Sequence, residues 1–387
     1  MDAISRLKML SAQTSFEPDG DSPLGPDRSR VPACIERRAN DLYLSPAVMS
    51  GGGKILLLKS QLSSVCERDC HYCAFRAGRD FRRATFKPEE FAGVFMELYR
   101  RKAVDGLFVS SGIAGGGVRT QDKLLDTADI LRRKLGYRGY LHLKIMPGAE
   151  KEQVYRAMQL ADRVSVNLEA PNTARLAQLA PRKQFLEELI RPLRWVEEIR
   201  RSIPPIRAWK EHWPSSTTQF VAGGADESDV ELLQTTQYLY GELRLKRTYF
   251  MAFSPVPDTP LENHEPTSGQ RELRLYQASF LLRDYGFDLE EMPFEQDGNL
   301  PLAADPKLAW ARANLAHSPI EINTADKRTL LRVPGIGLKG AEEILKIRRQ
   351  HKLHDLGALR KIGIAADRAA PFVLLDGHQP AYQLGMM

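Results

Sequence analysis

Cysteine is scarce in this chain, four in 387 residues, which excludes the disulfide framework that small secreted scaffolds rely on. Long apolar runs are missing too: no stretch approaches the ~18–20 residues that a membrane-crossing helix needs. The opening MDAISRLKML lacks the apolar centre and small-residue cleavage site of a secretory leader. A cytoplasmic protein with no membrane partner is therefore expected. Neither sign of charge dominates, with 55 Lys and Arg against 49 Asp and Glu for a net +6. That excess permits a polyanionic partner without requiring one. What is present is ordinary: 43% hydrophobic and 27% charged residues exclude a disordered or fibrous chain. At ~100–200 residues per domain, the length predicts two or three domains unless a barrel takes up much of it.

Residues 14–31 are rich in Pro, Gly, Asp and Ser and read as a loop. From Lys54 onward, short apolar runs alternate with amphipathic ones. KILLL (54–58), GLFVSS (106–111), YLHLKI (140–145), RVSVNLE (163–169), TTQFVAG (217–223) and TYFMAFS (248–254) have the length of buried parallel strands. Helical patterns lie between them, at 88–102, 122–136, 150–161 and 185–202, with a further one at 271–287. Six strand–helix repeats predict a parallel α/β architecture, closed economically as a full or partial barrel, with a doubly wound open sheet as the alternative. The predicted organisation is an extension over 1–49, an α/β core over 50–292 and a linker over 293–317. A small all-α domain over 318–376 and a tail over 377–387 complete it.

Three of the four cysteines, Cys66, Cys70 and Cys73, form C-x3-C-x2-C directly after the first strand. Soft sulfur donors packed this closely suit an iron–sulfur cluster, zinc or copper. Structural zinc takes four ligands, commonly as two separated pairs, and only one triplet stands here. Three thiolates on a four-iron cube leave one iron open, as a catalytic centre does. A zinc knuckle that staples the loop is the plain alternative.

With Tyr72 before the last cysteine and a repeated βα pattern around it, residues 50–290 resemble the radical S-adenosylmethionine superfamily. The resemblance implies a partial (β/α)6 TIM-like barrel and a [4Fe-4S] cluster on Cys66, Cys70 and Cys73. It also implies that the open iron chelates S-adenosylmethionine and that an external donor such as flavodoxin or ferredoxin supplies the electron. Further cofactor contacts follow by matching position. These are Tyr72, Gly112 in SSGIAGGG (110–117), the row Ser165, Asn167 and Glu169, and Gly223 in FVAGGADES (220–228). SPVPDTP (254–260) matches the adenine-side loop. The acidic residue that often follows the first glycines in this family is absent, which leaves the ligand of the cofactor's amino group open.

At the other end, LLRVPGIGLKGAEEILKIRR (330–349) resembles the helix-hairpin-helix DNA-binding motif. Pro334, Gly335, Ile336 and Gly337 form the turn, and Lys339 stands at the start of a helix whose amides suit a phosphate. Asn323 or Thr324 is expected to cap the first helix, and Gly363 marks a degenerate second copy. Residues 318–387 hold eleven Lys and Arg against seven Asp and Glu. A structural or protein-binding tail is the alternative.

RRATFKPEEF (82–91), LHLKIMPGA (141–149), RVSVNLEAPN (163–172) and LLRVPGIG (330–337) also resemble a narrower group, the DNA modification or repair radical S-adenosylmethionine proteins linked to a uracil-DNA-glycosylase-like protein. That resemblance implies hydrogen abstraction on DNA, with contact to the DNA backbone that is not sequence-specific. An RNA or tRNA substrate, and a DNA-binding protein with a structural or redox-sensing cluster, are the other readings. Trp209 and Trp213 are candidates for base stacking. Tyr249 and Cys34 are candidates for hydrogen donation.

Overall fold

A computed structural model describes residues 2–13, 44–48 and 53–381; Cys34 lies outside them. Contacts divide the chain into two units, Met1–Glu227 with Tyr238–Glu272, and Ser228–Gln237 with Leu273–Met387.

The first unit is built on β1 (Leu44–Val48), β2 (Lys54–Gln61), β3 (Gly106–Ser110), β4 (Tyr140–Lys144), β5 (Arg163–Ser165), β6 (Ser215–Ala222) and β7 (Arg247–Ala252). They form one sheet in sequential order, β1 antiparallel to β2 and all later neighbours parallel. Among the described residues β7 does not pair back to β1 or β2, so the six parallel strands make a partial α/β barrel, as expected.

Helices α1 (Ala3–Gln13), α2 (Pro88–Arg100), α3 (Gly117–Asp129), α4 (Lys151–Leu160), α5 (Thr173–Leu179) and α6 (Arg191–Ser202) belong to this unit. Pro88 and two glutamates open α2, which removes one orphan N–H and sets negative charge on the positive helix end. Alternation sorts the strand residues. Leu58, Leu107, Val109, Leu141, Leu143, Val164, Phe220 and Phe250 are fully buried and form the apolar outer layer of the barrel. The alternate positions face the concave side and are largely polar. Arg132 closes the N-terminal end of the barrel. It donates to the Leu160, Tyr137 and Gly139 carbonyls and pairs with Asp162 at 2.8 Å.

The fourth parallel strand is shorter than RVSVNLE. After Ser165 the ladder breaks, and the Thr218 hydroxyl patches it by accepting from Leu168 N–H and donating to the Val166 carbonyl. The chain rejoins β6 only at Glu169, whose φ of 66° puts it in the left-handed region.

Helices α7 (Asp229–Gly241) and α8 (Gly269–Asp284) come next along the chain. In the second unit, α9 (Pro306–Asn314) falls inside the stretch read as a linker, yet its Ala311 is fully buried in this unit's core with Leu330, Ile344 and Leu359. Two hairpins follow, α10 (Lys327–Leu330) with α11 (Leu338–Ile347), and α12 (Leu356–Lys361) with α13 (Ala366–Ala369). The unit is not purely helical, because β8 (Ile320–Glu321) and β9 (Val373–Leu374) pair in parallel. Asp326 caps α10 by accepting from Thr329 N–H, in place of the expected Asn323 or Thr324. Asn323 instead exchanges hydrogen bonds with the Leu353 backbone, so its side chain is spent outside the helix.

Lys307 lies over the Tyr285 ring and donates to the Ile336 carbonyl at 2.6 Å. Burial pushes its pKa down to about 7 from 10.5. Across that window the unfolded chain binds one more proton than the folded one, so stability rises with pH from about 7 to 10.5. Replacing Lys307 by Met should flatten that rise and stabilise the protein at pH 7, as read by urea midpoints at pH 7 and 9.5.

Candidate functional site

Cys66, Cys70 and Cys73 lie in the irregular segment 62–87 between β2 and α2, and none is in a disulfide. Such a segment has buried backbone groups that no ladder satisfies. Arg83 supplies the partners. Its guanidinium donates to the carbonyls of Ser64 (2.9 Å), Phe75 (3.1 Å), Arg76 (2.8 Å) and Arg79 (3.2 Å) and covers the Phe81 ring. Other anchors come from neighbouring turns. Glu67 N–H donates to Ile113, His71 N–H to Leu179 and Gly112 N–H to Ser63.

Cys70 is buried, and Cys66 and Cys73 are half-buried. Burial raises the Cys70 and Cys73 thiol pKa values, the cysteines add to each other's shift, and Lys183 opposes it. The three sulfurs are thus near enough to feel one another electrostatically. A single tetrahedral zinc would need them about 3.8 Å apart, given Zn–S bonds of about 2.3 Å. Among the described residues no three His, Cys, Asp or Glu side chains are gathered to hold one metal ion. The donor set, one buried and two half-buried thiols carried on one irregular loop, fits an iron–sulfur cube.

Beside the cysteines is a cavity of about 250 Å³ lined by Tyr72, Cys73, Asn167, Glu169, Gln219, Met251 and the loop 252–257. It lies at the C-terminal edge of the barrel, where parallel α/β folds keep their sites. Tyr72, Asn167 and Glu169 from the expected cofactor set line it, and so does the SPVP stretch. Glu169 is committed to neighbours. Its carboxylate pairs with Lys183 at 3.0 Å, both side chains nearly solvent-free, and accepts from Tyr72. Burial and Glu169 push the Tyr72 phenol well up. Burial works against the Lys183 charge, but Cys70 and Glu169 overcome it and hold the ammonium above its ordinary range.

Three other expected contacts sit elsewhere. Ser165 bonds His142 at 2.9 Å on the concave face. A methyl on Gly112 would collide with the Val65 carbonyl and stand 3.2 Å from Cys66 Cβ, so this glycine lets the turn after β3 press on the cysteine loop. Gly223, at φ 88°, packs against Thr267 and is not among the cavity's lining residues.

Sequence reading missed Arg83, Lys183 and Glu67. The Glu67 carboxylate accepts from the amides of Gly115 (3.0 Å) and Gly116 (3.2 Å), bringing an acid to the glycine turn that has none of its own. Trp209 and Trp213 precede β6 at its N-terminal end, opposite the cysteine loop. Trp209 lies under Arg132 at 4.0 Å, and Trp213 donates to the Ile203 carbonyl, so both are structural.

In the second unit Pro334 and Ile336 are buried, Gly335 and Gly337 half-buried and Lys339 exposed. Gly335 has φ 86°, and its carbonyl accepts from Ala365 N–H, which joins the two hairpin turns. No side chain caps α11, so no side-chain acceptor is spent on its first amides beside the exposed Lys339.

No protein-family model matches the sequence, and no curated protein matches it. Among solved structures the chain is similar to the [FeFe]-hydrogenase maturase HydG from Carboxydothermus hydrogenoformans, at 14% identity over 59% of this chain and 51% of that one, TM-score 0.46. It is similar to methylornithine synthase PylB at 13% identity over 59% and 61%, TM-score 0.46. A radical SAM methyltransferase from Sphaerobacter thermophilus shares 16% identity over 65% and 80%, TM-score 0.42. The chain thus covers about half to three fifths of the first two proteins.

Arg83→Ala should lower the iron retained after anaerobic reconstitution several-fold and also lower the unfolding midpoint, because four loop carbonyls lose their donor. Iron and sulfide assays with thermal melts check this.

Proposed function

We propose that this chain is a radical S-adenosylmethionine enzyme that acts on DNA. The observation that carries the reading is the placement of Cys66, Cys70 and Cys73, free of disulfides, in the loop after the first parallel strand, beside a cavity at the C-terminal edge of a partial barrel. The three cysteines would hold a [4Fe-4S] cluster with one iron left for the cofactor. Such a cluster would supply the one electron that reductively cleaves the sulfonium of S-adenosylmethionine to methionine and a 5′-deoxyadenosyl group able to take hydrogen from a substrate.

The chain's own residues bind and shield. Tyr72 and the loop 252–257 wall the cavity, and Asn167 offers a polar contact to the cofactor's sugar. Glu67, fixed on the Gly115 and Gly116 amides, is the carboxylate placed to meet an amino group at that turn. Lys183 neutralises Glu169 where both side chains are nearly closed to solvent, so the cavity wall carries no unpaired carboxylate there. A small flavodoxin or ferredoxin delivers the electron.

The second unit supports DNA as the partner. The amides of α11 left without a side-chain cap and the exposed Lys339 suit one phosphate, and a contact of this kind reads no bases. It tethers the enzyme to a duplex at an affinity of ~10⁻⁴–10⁻⁶ M that falls with salt. The base acted on must then be extruded or single-stranded, at a cost of a few kcal/mol that favours lesions. A uracil-DNA-glycosylase-like protein is the partner such a role suggests, and the cytoplasm is its place.

Anaerobic reconstitution with S-adenosylmethionine, a strong reductant and DNA tests the reading. The wild type should yield 5′-deoxyadenosine, more with DNA than with tRNA. Cys70→Ala should abolish the product and leave duplex binding intact, whereas Gly335→Val with Gly337→Val should weaken duplex binding at least tenfold and retain basal cleavage. Stimulation by tRNA alone would remove DNA as the substrate.

A further inference from the structure

A second cavity, of about 570 Å³, belongs to the second unit and shares no residue with the one beside the cysteines. Residues of α9, the stretch 318–321 and α10 line it, among them Trp310, Pro319 and Arg328, together with Glu291, Thr324 and Arg332. Its size is that of a small-molecule site, which runs ~300–1,000 Å³. None of Pro334, Gly335, Gly337 and Lys339 lines it, so it is separate from the hairpin turn.

One side chain in its wall is incompletely partnered. Arg332 is only 6% exposed, and its guanidinium lies 3.6 Å from the Phe287 ring centroid and 5.4 Å from that of Trp310. Nη2 donates to the Gly286 carbonyl at 2.9 Å and pairs with Glu291 Oε2 at 2.8 Å. Nη1 is buried and has no hydrogen-bond partner. A buried charged donor left unpaired is costly, so such an atom marks a place for an acceptor that the chain does not supply. Glu291 Oε2 also accepts from Asp288 N–H, whereas Oε1 has no hydrogen bond among the described residues. A single ion pair thus offers the cavity one donor and one acceptor, beside the half-buried indole of Trp310. Arg328, exposed, pairs with the exposed Asp288 at 3.4 Å.

We infer that this cavity receives a nucleobase, its ring against Trp310 and its edge hydrogen-bonded to Arg332 Nη1 and Glu291 Oε1. Each of the four bases places an acceptor next to an N–H donor on its Watson–Crick edge, and unpaired bases are held by stacking and by that edge. An exposed ion pair such as Arg328–Asp288 is weak, so Arg328 can turn to the phosphate of the same nucleotide. A peptide amide has the same donor and acceptor, but no flat ring for the indole and no phosphate for Arg328. Pairing hides the edge, so the base comes from an unpaired strand or a free nucleotide. The choice of an unpaired strand rests on the DNA reading above.

Calorimetric titration of the full-length protein with a single-stranded thymidine pentanucleotide, the same strand made without bases, dTMP and a short duplex tests this. The pentanucleotide should bind at least tenfold tighter than the baseless strand, which carries the same phosphates. Thr324→Trp, which puts a bulky ring at an exposed lining position, should erase that difference and leave duplex affinity unchanged. Arg332→Lys, which keeps a charge for Glu291 but removes Nη1, should shrink it several-fold. Measurable but equal affinity for the two strands would overturn the site, and so would a difference that both variants preserve. dTMP binding as tightly as the pentanucleotide, and lost in Thr324→Trp, would support the nucleobase and overturn the strand as its source. A protein that grips duplex but does not tell the pentanucleotide from the baseless strand sinks this inference alone. One whose dTMP binding is lost in Thr324→Trp, yet which binds neither strand nor duplex, sinks the DNA reading alone.

Discussion

A loop without secondary structure must still satisfy its buried carbonyls, and in this protein one guanidinium does so for the loop that matters. Arg83 joins four carbonyls spread over residues 64–79, so the backbone on both sides of Cys66, Cys70 and Cys73 is tied to a single point. Further ties run to Ile113, in the turn after β3, and to Leu179, at the end of α5. The cysteines thus ride on the barrel's C-terminal rim without belonging to any strand or helix. That arrangement puts Cys73 on the wall of the cavity, with Cys66 and Cys70 in the same loop, above a scaffold of regular elements.

Beneath the loop, a buried ion pair does related work. Removing one partner of such a pair typically costs about 3–5 kcal/mol, because the other charge is left stranded. Lys183 and Glu169 are therefore mutually dependent, and Tyr72 and Cys70 share their field. The left-handed backbone of Glu169 belongs to the same arrangement. Rejoining β6 after the ladder breaks at Ser165 turns this carboxylate toward Lys183. Backbone outliers of this kind collect at functional sites, where neighbours over-determine them.

The alternation of apolar and polar positions was legible in the sequence, since period-two patterning follows directly from strand geometry. So were the cysteine cluster and the strained turns at Gly335 and Gly363, where residue type alone carries the signal. Arg83 and Lys183 were not legible. Each is one cation among 55, and its role depends on carbonyls and a carboxylate that only the fold brings near. Lys59, Lys144, Arg163 and Arg247 stand at strand positions in plain sight, but only the register shows that they share adjacent rungs. Local competition explains the other differences. Asp326 accepts from Thr329 N–H three residues on and displaces Thr324 as the cap, and Thr218 substitutes for ladder bonds that RVSVNLE was expected to make.

The chemistry proposed for Cys66, Cys70 and Cys73 requires an iron–sulfur cube whose fourth iron is left for S-adenosylmethionine. Electron paramagnetic resonance of the anaerobically reconstituted, reduced protein addresses that directly. A spin-half signal whose g values move when S-adenosylmethionine is added is the predicted result. A signal indifferent to the cofactor, or a protein that holds zinc and shows no signal, would contradict it.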